Sequence, residues 1–168
     1  MTMADERTRA LRFGWEFLLD LRDEESLTDA QRSKVEELLR HYPSGAEIKE
    51  WAKDSELARD LWGPEMVPEK VKSRFLGDQD RVYPDSIERG PTTPLERTRA
   101  LCGAYQFLRF GLSGSGKSKL PERLSRQIPY VLRHFPDARE IGRWARSDAH
   151  AKREDPNFKQ WLMPQEKS

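Results

Sequence analysis

The amino-acid sequence predicts an all-α protein made of two tandem copies of a three-helix unit. Three observations support this prediction. Blocks of sequence recur at a nearly constant spacing, and the apolar residues within each block follow the 3.6-residue period of a helix. Alternating runs of β-forming residues, which would predict strands, are absent from the sequence.

Three sequence blocks carry the repeat. They are ERTRAL at 6–11 and 96–101, RHYP or RHFP at 40–43 and 133–136, and EIKEWA or EIGRWA at 47–52 and 140–145. The spacing is 90 residues for the first block and 93 for the other two, which places a three-residue insertion in a loop between them. Ordered recurrence of this kind indicates an internal duplication.

Local signals divide each copy into three helices. The pairs with capping-box spacing, which predict helix starts, are Thr28 with Gln31, Ser44 with Glu47, and Asp137 with Glu140. Pro43 and Pro136 are expected to end the second helix of each copy, and Pro129 to kink that helix in the second copy. Trp51 and Trp144 are expected to be buried in equivalent cores.

The repeat divides the chain into a first helical repeat at 1–62, a linker at 63–94 and a second helical repeat at 95–168. The linker contains several Pro and Gly residues, and a short helix is expected at 69–76. A three-helix unit of this size is marginally stable alone. The two repeats are therefore expected to share an interface and to pack as a pseudo-two-fold helical protein.

Two pairs of repeated charged residues have predicted structural roles. Arg7 and Arg97 lie at the start of the first helix, toward its apolar face, and salt bridges to the repeated Glu47 and Glu140 are expected there. The two repeated histidines precede the prolines that follow each second helix, so they are expected to cap those helices.

Charge is distributed unequally between the repeats. The first has ten Lys/Arg against fifteen Asp/Glu, net −5, whereas the second has fifteen against eight, net +7. Such asymmetry indicates an anionic partner for the basic half. The candidate binding residues are Lys117, Lys119, Arg123, Arg126, Arg133, Arg139, Arg143, Arg146 and Arg153. His150 lies between the last two on the same predicted helix face. A charge stripe of this kind is usually a solvated face, and the functional interpretation is a surface for nucleic acid phosphates or for an acidic protein.

A phosphate-loop pattern, GLSGSGKS, occupies 111–118. In nucleotide hydrolases this loop follows a buried strand and precedes a helix, and its backbone N–H groups hold the phosphates. Here the preceding residues repeat a helix, and Pro121 would fall in the first turns of the required helix. A Gly/Ser loop between helices is therefore the preferred interpretation, and a nucleotide hydrolase the remote alternative.

No other arrangement in the sequence predicts chemistry. No Ser–His–Asp, paired-carboxylate or metal-ligand spacing is present, so neither catalytic residues nor a metal or other cofactor is expected. Cys102, the single cysteine, is expected to pack as a small apolar residue and favours a reducing compartment. With no signal-peptide pattern and no membrane-spanning run, the cytoplasm is the expected location.

The opening MTMADERTRA together with RHYP at 40–43 resembles a family of short, uncharacterised proteobacterial proteins that carry one such unit. The similarity covers about 55 residues of each copy and excludes the linker and the tail. The second copy departs from the family pattern at Pro129 and at the Gly/Ser insertion. The resemblance implies a bacterial or phage setting and no activity.

Together these features predict a non-catalytic interaction protein that binds an anionic partner surface through its basic second repeat. The partner is expected to be another protein or a protein–nucleic acid complex, without a membrane. A nucleic-acid-associated regulator is the first alternative. A small phage or mobile-element inhibitor that occludes a nucleic-acid-handling complex would equally fit the small size and the lack of a catalytic motif.

Overall fold

The computed structural model of the chain describes residues 2–57, 66, 91–112 and 120–165. Within these ranges the regular elements are helical and no strand occurs, which confirms the predicted all-α class. The helices are α1 (Ala4–Arg22), α2 (Asp29–His41), α3 (Gly45–Leu57), α4 (Pro94–Gln106), α5 (Glu122–Leu132) and α6 (Ala138–Glu154). A π-helical turn, Phe107–Gly111, extends α4. The helix predicted at 69–76 lies outside the described residues.

Capping residues fix where the helices begin. Thr28, Ser44 and Asp137 each accept a hydrogen bond from the backbone N–H three residues later. The Gln or Glu at that position accepts one from the N–H of the capping residue, so all three predicted capping boxes are confirmed. Thr93 caps α4 in the same way, and α4 therefore starts at Pro94, inside the predicted linker.

Helices α1–α3, the first segment, and α4–α6, the second segment, bury one continuous apolar core. Helix α2 packs against α4 as well as α1, and α1 packs against α5 as well as α3. Trp51 of α3 meets Trp144 of α6 edge to face, with ring centroids 6.0 Å apart. Both side chains are buried, as predicted, but they contact each other instead of occupying separate cores.

Ion pairs also run between the segments. Arg7 of α1 lies 4.0 Å from Glu140 of α6, and Arg97 of α4 lies 3.6 Å from Glu47 of α3. The predicted salt bridges are therefore present, and each joins an arginine of one segment to a glutamate of the other. Arg97 is 8% exposed and also donates to the backbone oxygen of Trp161 at 2.7 Å.

The repeated histidines make contacts that the capping prediction did not anticipate. Nδ1 of His41 lies 3.4 Å from the Thr92 hydroxyl and 3.9 Å from Glu96, at the start of α4. His134 stands in the same relation to Thr2 (3.4 Å) and to the glutamate at position 6 (3.7 Å), at the start of α1. Each imidazole thus reaches from the end of one segment's second helix to the first helix of the other.

Gly14 allows Tyr42 of the first segment and Phe135 of the second to pack closely against α1. The Tyr42 hydroxyl donates to the backbone oxygen of Leu11 at 2.7 Å. A Cβ at Gly14 would lie 2.6 Å from that hydroxyl and 2.7 Å from the ring of Phe135. Any larger residue at position 14 would separate α1 from the residues that follow α2 and α5.

The tail after α6 folds back into the core, which the sequence did not predict. The backbone N–H groups of Trp161 and Leu162 donate to one carboxylate oxygen of Asp148 at 2.9 and 2.8 Å. The Trp161 ring stacks on Trp51 with centroids 6.0 Å apart, and its indole N–H donates to Asp54 at 2.8 Å. The tail therefore ties α6 to α3 of the first segment.

Two local features distinguish the second segment. Pro129 lies inside α5, which nevertheless continues to Leu132. In the π-helical turn the ring of Phe107 lies against Gly111, where a Cβ would come within 2.5 Å of it.

Among the helices described, none has the length and apolar composition needed to cross a membrane.

Candidate anion-binding surface

Helix α6 presents a row of arginines opposite its buried face. Ile141, Trp144 and Ala145 are buried in the core. The exposed residues of the row are Arg139, Arg143, Arg146 and Arg153, here called the arginine row. Their spacing of four, three and seven residues keeps them on one side of a helix, over a length of about 21 Å. The exposed His150 completes the spacing, four residues after Arg146.

None of the three carboxylates of α6, which are Glu140, Asp148 and Glu154, forms an ion pair with the row. Glu140 accepts a hydrogen bond at the helix start and pairs with Arg7. Asp148 holds the backbone of the tail, and burial raises its pKa to about 6 although the tail hydrogen bonds oppose that shift. Across the described part of the chain, no ion pair involves the arginine row. Its positive charge is therefore available to a partner.

Helix α5 adds further basic residues. Arg123, Arg126 and Arg133 are exposed, and Arg126 forms an ion pair with Glu122 one turn earlier. Tyr130 is 69% exposed, four residues after Arg126 and three before Arg133. The exposure of Tyr130 was not predicted from the sequence; the buried residues of the same helix are Leu124 and Val131. Lys117 and Lys119 lie outside the described residues.

The first segment has a different surface at the positions that match α6 in the repeat. Ala46, Glu50 and Lys53 of α3 occupy the places of the first three arginines of the row. All three side chains are exposed, so the comparison concerns equivalent solvent-facing positions. Glu50 pairs with Lys159 of the tail at 2.6 Å. The arginine row is therefore a property of one segment and not of the repeated sequence pattern.

The phosphate-loop pattern does not have the structural context of a nucleotide hydrolase. The residues before it are helical, from Pro94 to Gly111, where a hydrolase would have a buried strand. Pro121 lies at the N-cap of α5, which begins only at Glu122. Most of the loop, 113–119, lies outside the described residues.

Other reactive groups do not converge on a site. Among the described residues, no group of three or more His, Cys, Asp or Glu is arranged to hold a metal ion. Cys102 is half-buried against the core, as predicted, and burial raises the pKa of its thiol. A raised pKa favours the protonated thiol, which is the less reactive form.

Comparison of the chain with protein-family models, curated proteins and solved structures gives no significant match. The resemblance to short proteobacterial proteins therefore stays a prediction.

Proposed function

We propose that this protein is a non-catalytic interaction protein that binds an anionic macromolecular surface through the arginine row of α6. The observation that carries the proposal is the exposure of four arginines along one helix face without an ion pair among the described residues. Exposed like charges repel one another, so a row of them is stabilised by a partner of opposite charge. The planar guanidinium groups suit bidentate binding of carboxylates or phosphates.

The first segment acts in this proposal as a folding partner for the second. We propose that the chain is a tandem duplication whose two three-helix segments pair about a pseudo-two-fold axis. The crossed ion pairs, Arg7 with Glu140 and Arg97 with Glu47, support it, as does the contact of Trp51 with Trp144. A segment of about 60 residues gains most of its missing core from such a pairing.

Charge reversal on the row tests the proposed function. The full chain and its Arg139→Glu/Arg143→Glu/Arg146→Glu variant are applied to immobilised heparin and to immobilised polyglutamate, and the salt concentration of elution is measured. We expect the wild type to be retained and the variant to elute at much lower salt on each polyanion that retains the wild type. Reversing three charges weakens both the electrostatic attraction that brings the protein to the polyanion and the binding itself.

The matched control reverses the same charge in the first segment. Arg40, Lys49 and Lys53 are exposed and have no ion pair among the described residues. Their triple change to Glu alters net charge by the same amount, and we expect it to elute close to the wild type. Equal elution of the two triple variants would contradict the proposal, because binding would then depend on net charge alone.

A nucleic-acid-associated regulator is the second candidate. The exposed Tyr130 between Arg126 and Arg133 favours it, since aromatic and arginine side chains together stack on bases and contact phosphates.

A further inference from the structure

We infer that the anionic partner of the second segment is a single-stranded nucleic acid, whose phosphates lie along the arginine row and one of whose bases stacks on Tyr130. This inference rests on the proposed function and names the chemical class of the partner. The exposed faces of α5 and α6, and their differences from α2 and α3, support it.

Tyr130 is placed as a stacking platform. Its side chain is 69% exposed, while Val131 next to it is buried, so the ring stands on the solvent side of α5. Arg126 and Arg133, at four residues before and three after, lie on the same side of the helix. Within the described structure the ring makes no aromatic contact and its hydroxyl no hydrogen bond. The exposed part of the ring is therefore accessible for stacking.

The repeat shows that this position does not require an aromatic residue. Glu37 of α2 lies 93 residues before Tyr130 and is likewise exposed. It pairs with Lys34 at 3.1 Å on the helix surface, as expected of an ordinary solvated position. The second segment thus presents a tyrosine where the first presents a charged residue, in the same segment that has the arginine row.

The basic faces of α5 and α6 are close along the chain. Arg133 is the C-cap residue of α5, and Arg139 lies in the first turn of α6. Arg139 is six positions after Arg133, so their Cα atoms are at most about 22 Å apart. A single strand of several nucleotides is long enough to cross that distance, since a single OB fold already binds about 4–16 nucleotides.

Arginine can bind a phosphate and also stack on a base, whereas with a carboxylate it makes only its hydrogen bonds and ion pair. The seven exposed residues predicted for binding on α5, its C-cap and α6 are all Arg, and Lys152 is the exposed lysine of α6. Guanidinium groups bind phosphates in a bidentate manner and also stack on bases. Duplex DNA read by a helix in its groove needs neither an exposed tyrosine nor an unstacked base.

Fluorescence anisotropy with the full chain tests this inference. The labelled probes are a thymidine 15-mer, an abasic deoxyribose-phosphate 15-mer, a blunt duplex of the same length and a 15-residue polyglutamate. We expect the thymidine strand to bind on the order of 10-fold more tightly than the abasic strand, as one stacked base would give. Tyr130→Ala should remove that difference, Tyr130→Phe should retain it, and Glu37→Ala should leave it unchanged.

The salt dependence of Kd tests the contribution of the arginine row to binding. The Arg139→Glu/Arg143→Glu/Arg146→Glu variant should lower the slope of log Kd against log salt concentration by about 2 for the thymidine strand, because three phosphate contacts are lost. Circular dichroism verifies that each variant keeps the helical content of the wild type.

The remaining outcomes separate the inference from the proposed function. Equal binding of the thymidine and abasic strands, or tighter binding of the duplex or of polyglutamate, overturns the inference. If that binding still depends on the arginine row, the proposed function is retained. If no probe binds in a manner that depends on the arginine row, both are overturned.

Discussion

Helices α3 and α6 have the same inner face and different outer faces. Trp51 and Trp144 meet in the core, whereas the exposed Glu50 and Arg143, which the repeat places at equivalent positions, have opposite charge. Core packing constrains volume and shape on the inner face and leaves the outer face free, because single surface substitutions change stability little. What differs between the two helices is therefore the better guide to function, and what they share is the better guide to folding.

The strongest test of the shared inner face is removal of each tryptophan. We expect Trp51→Ala and Trp144→Ala each to lower the free energy of unfolding by about 3–5 kcal/mol, the usual cost of deleting a buried aromatic side chain. Trp51→Ala should cost about 1 kcal/mol more, because Trp51 also stacks on Trp161 of the tail. Urea unfolding followed by circular dichroism measures both values.

Milder substitutions keep this test informative if the alanine variants do not fold. Trp51→Phe and Trp144→Phe preserve an apolar ring and should show smaller losses. A loss below about 1 kcal/mol at either alanine position would contradict a core shared by both segments.

The crossed ion pairs should be unequal although they occupy equivalent positions. Arg97→Met is expected to cost about 2–3 kcal/mol, since it leaves the buried backbone oxygen of Trp161 without its donor. Arg7→Met should cost about 1 kcal/mol, because Arg7 is more exposed and its pair with Glu140 is looser, at 4.0 Å.

Thermal and urea unfolding of both methionine variants measure this difference, with the exposed Arg40→Met as the control for a general change of charge. Equal losses at the two positions would show that the tail contact of Arg97 contributes nothing to stability.

A buried carboxylate gives the tail a pH dependence that the matching position of the first segment lacks. Burial raises the pKa of Asp148 to about 6 from its ordinary 3.8, so the folded state binds more protons than the unfolded state between these values. The stability contributed by this group therefore rises as pH falls from 7 through 6 toward 4. Ser55, at the matching position of α3, has no group that titrates between pH 4 and pH 7.

The variant Asp148→Asn removes the titratable group and so isolates its effect on the pH dependence of stability. The amide oxygen still accepts from the tail N–H groups, so we expect the variant to be about 1–2 kcal/mol more stable than the wild type at pH 7 and equally stable at pH 4. Denaturant unfolding from pH 4 to pH 7 measures the difference, with the exposed Glu154→Gln as control. A variant less stable than the wild type at pH 7 would show that the charged hydrogen bonds outweigh desolvation.

The sequence predicted those features that depend on neighbours along the chain. The helix starts at Thr28, Ser44 and Asp137 follow from capping residues that act over three positions, and the all-α class follows from helical periodicity. The tail was not predicted, because Trp161 contacts Asp54, 107 residues away, and no periodic pattern marks it.

The candidate surface was predicted in part, because only some of its residues follow from spacing along a single helix. The arginine row follows from spacing along one helix, and α6 indeed exposes it. The exposure of Tyr130 was missed, since an aromatic residue in a helix beside apolar neighbours usually belongs to the core. Its outward position depends on how α5 is rotated against α1, which a single sequence does not specify.

The smallest expected effect concerns the stability contributed by the arginine row. Arg139→Glu/Arg143→Glu/Arg146→Glu should change the free energy of unfolding by less than about 1 kcal/mol, because exposed side chains without ion pairs contribute little. Arg139→Glu alone should be slightly stabilising, since a negative charge in the first turn of α6 interacts favourably with the helix dipole. Thermal unfolding measures both, with the triple reversal of Arg40, Lys49 and Lys53 as the matched control. A loss above about 2 kcal/mol would mean that the row holds the fold together and is not a surface kept free for a partner. If the triple variant keeps its stability and loses polyanion binding, the difference in surface charge between α3 and α6 serves binding and not folding.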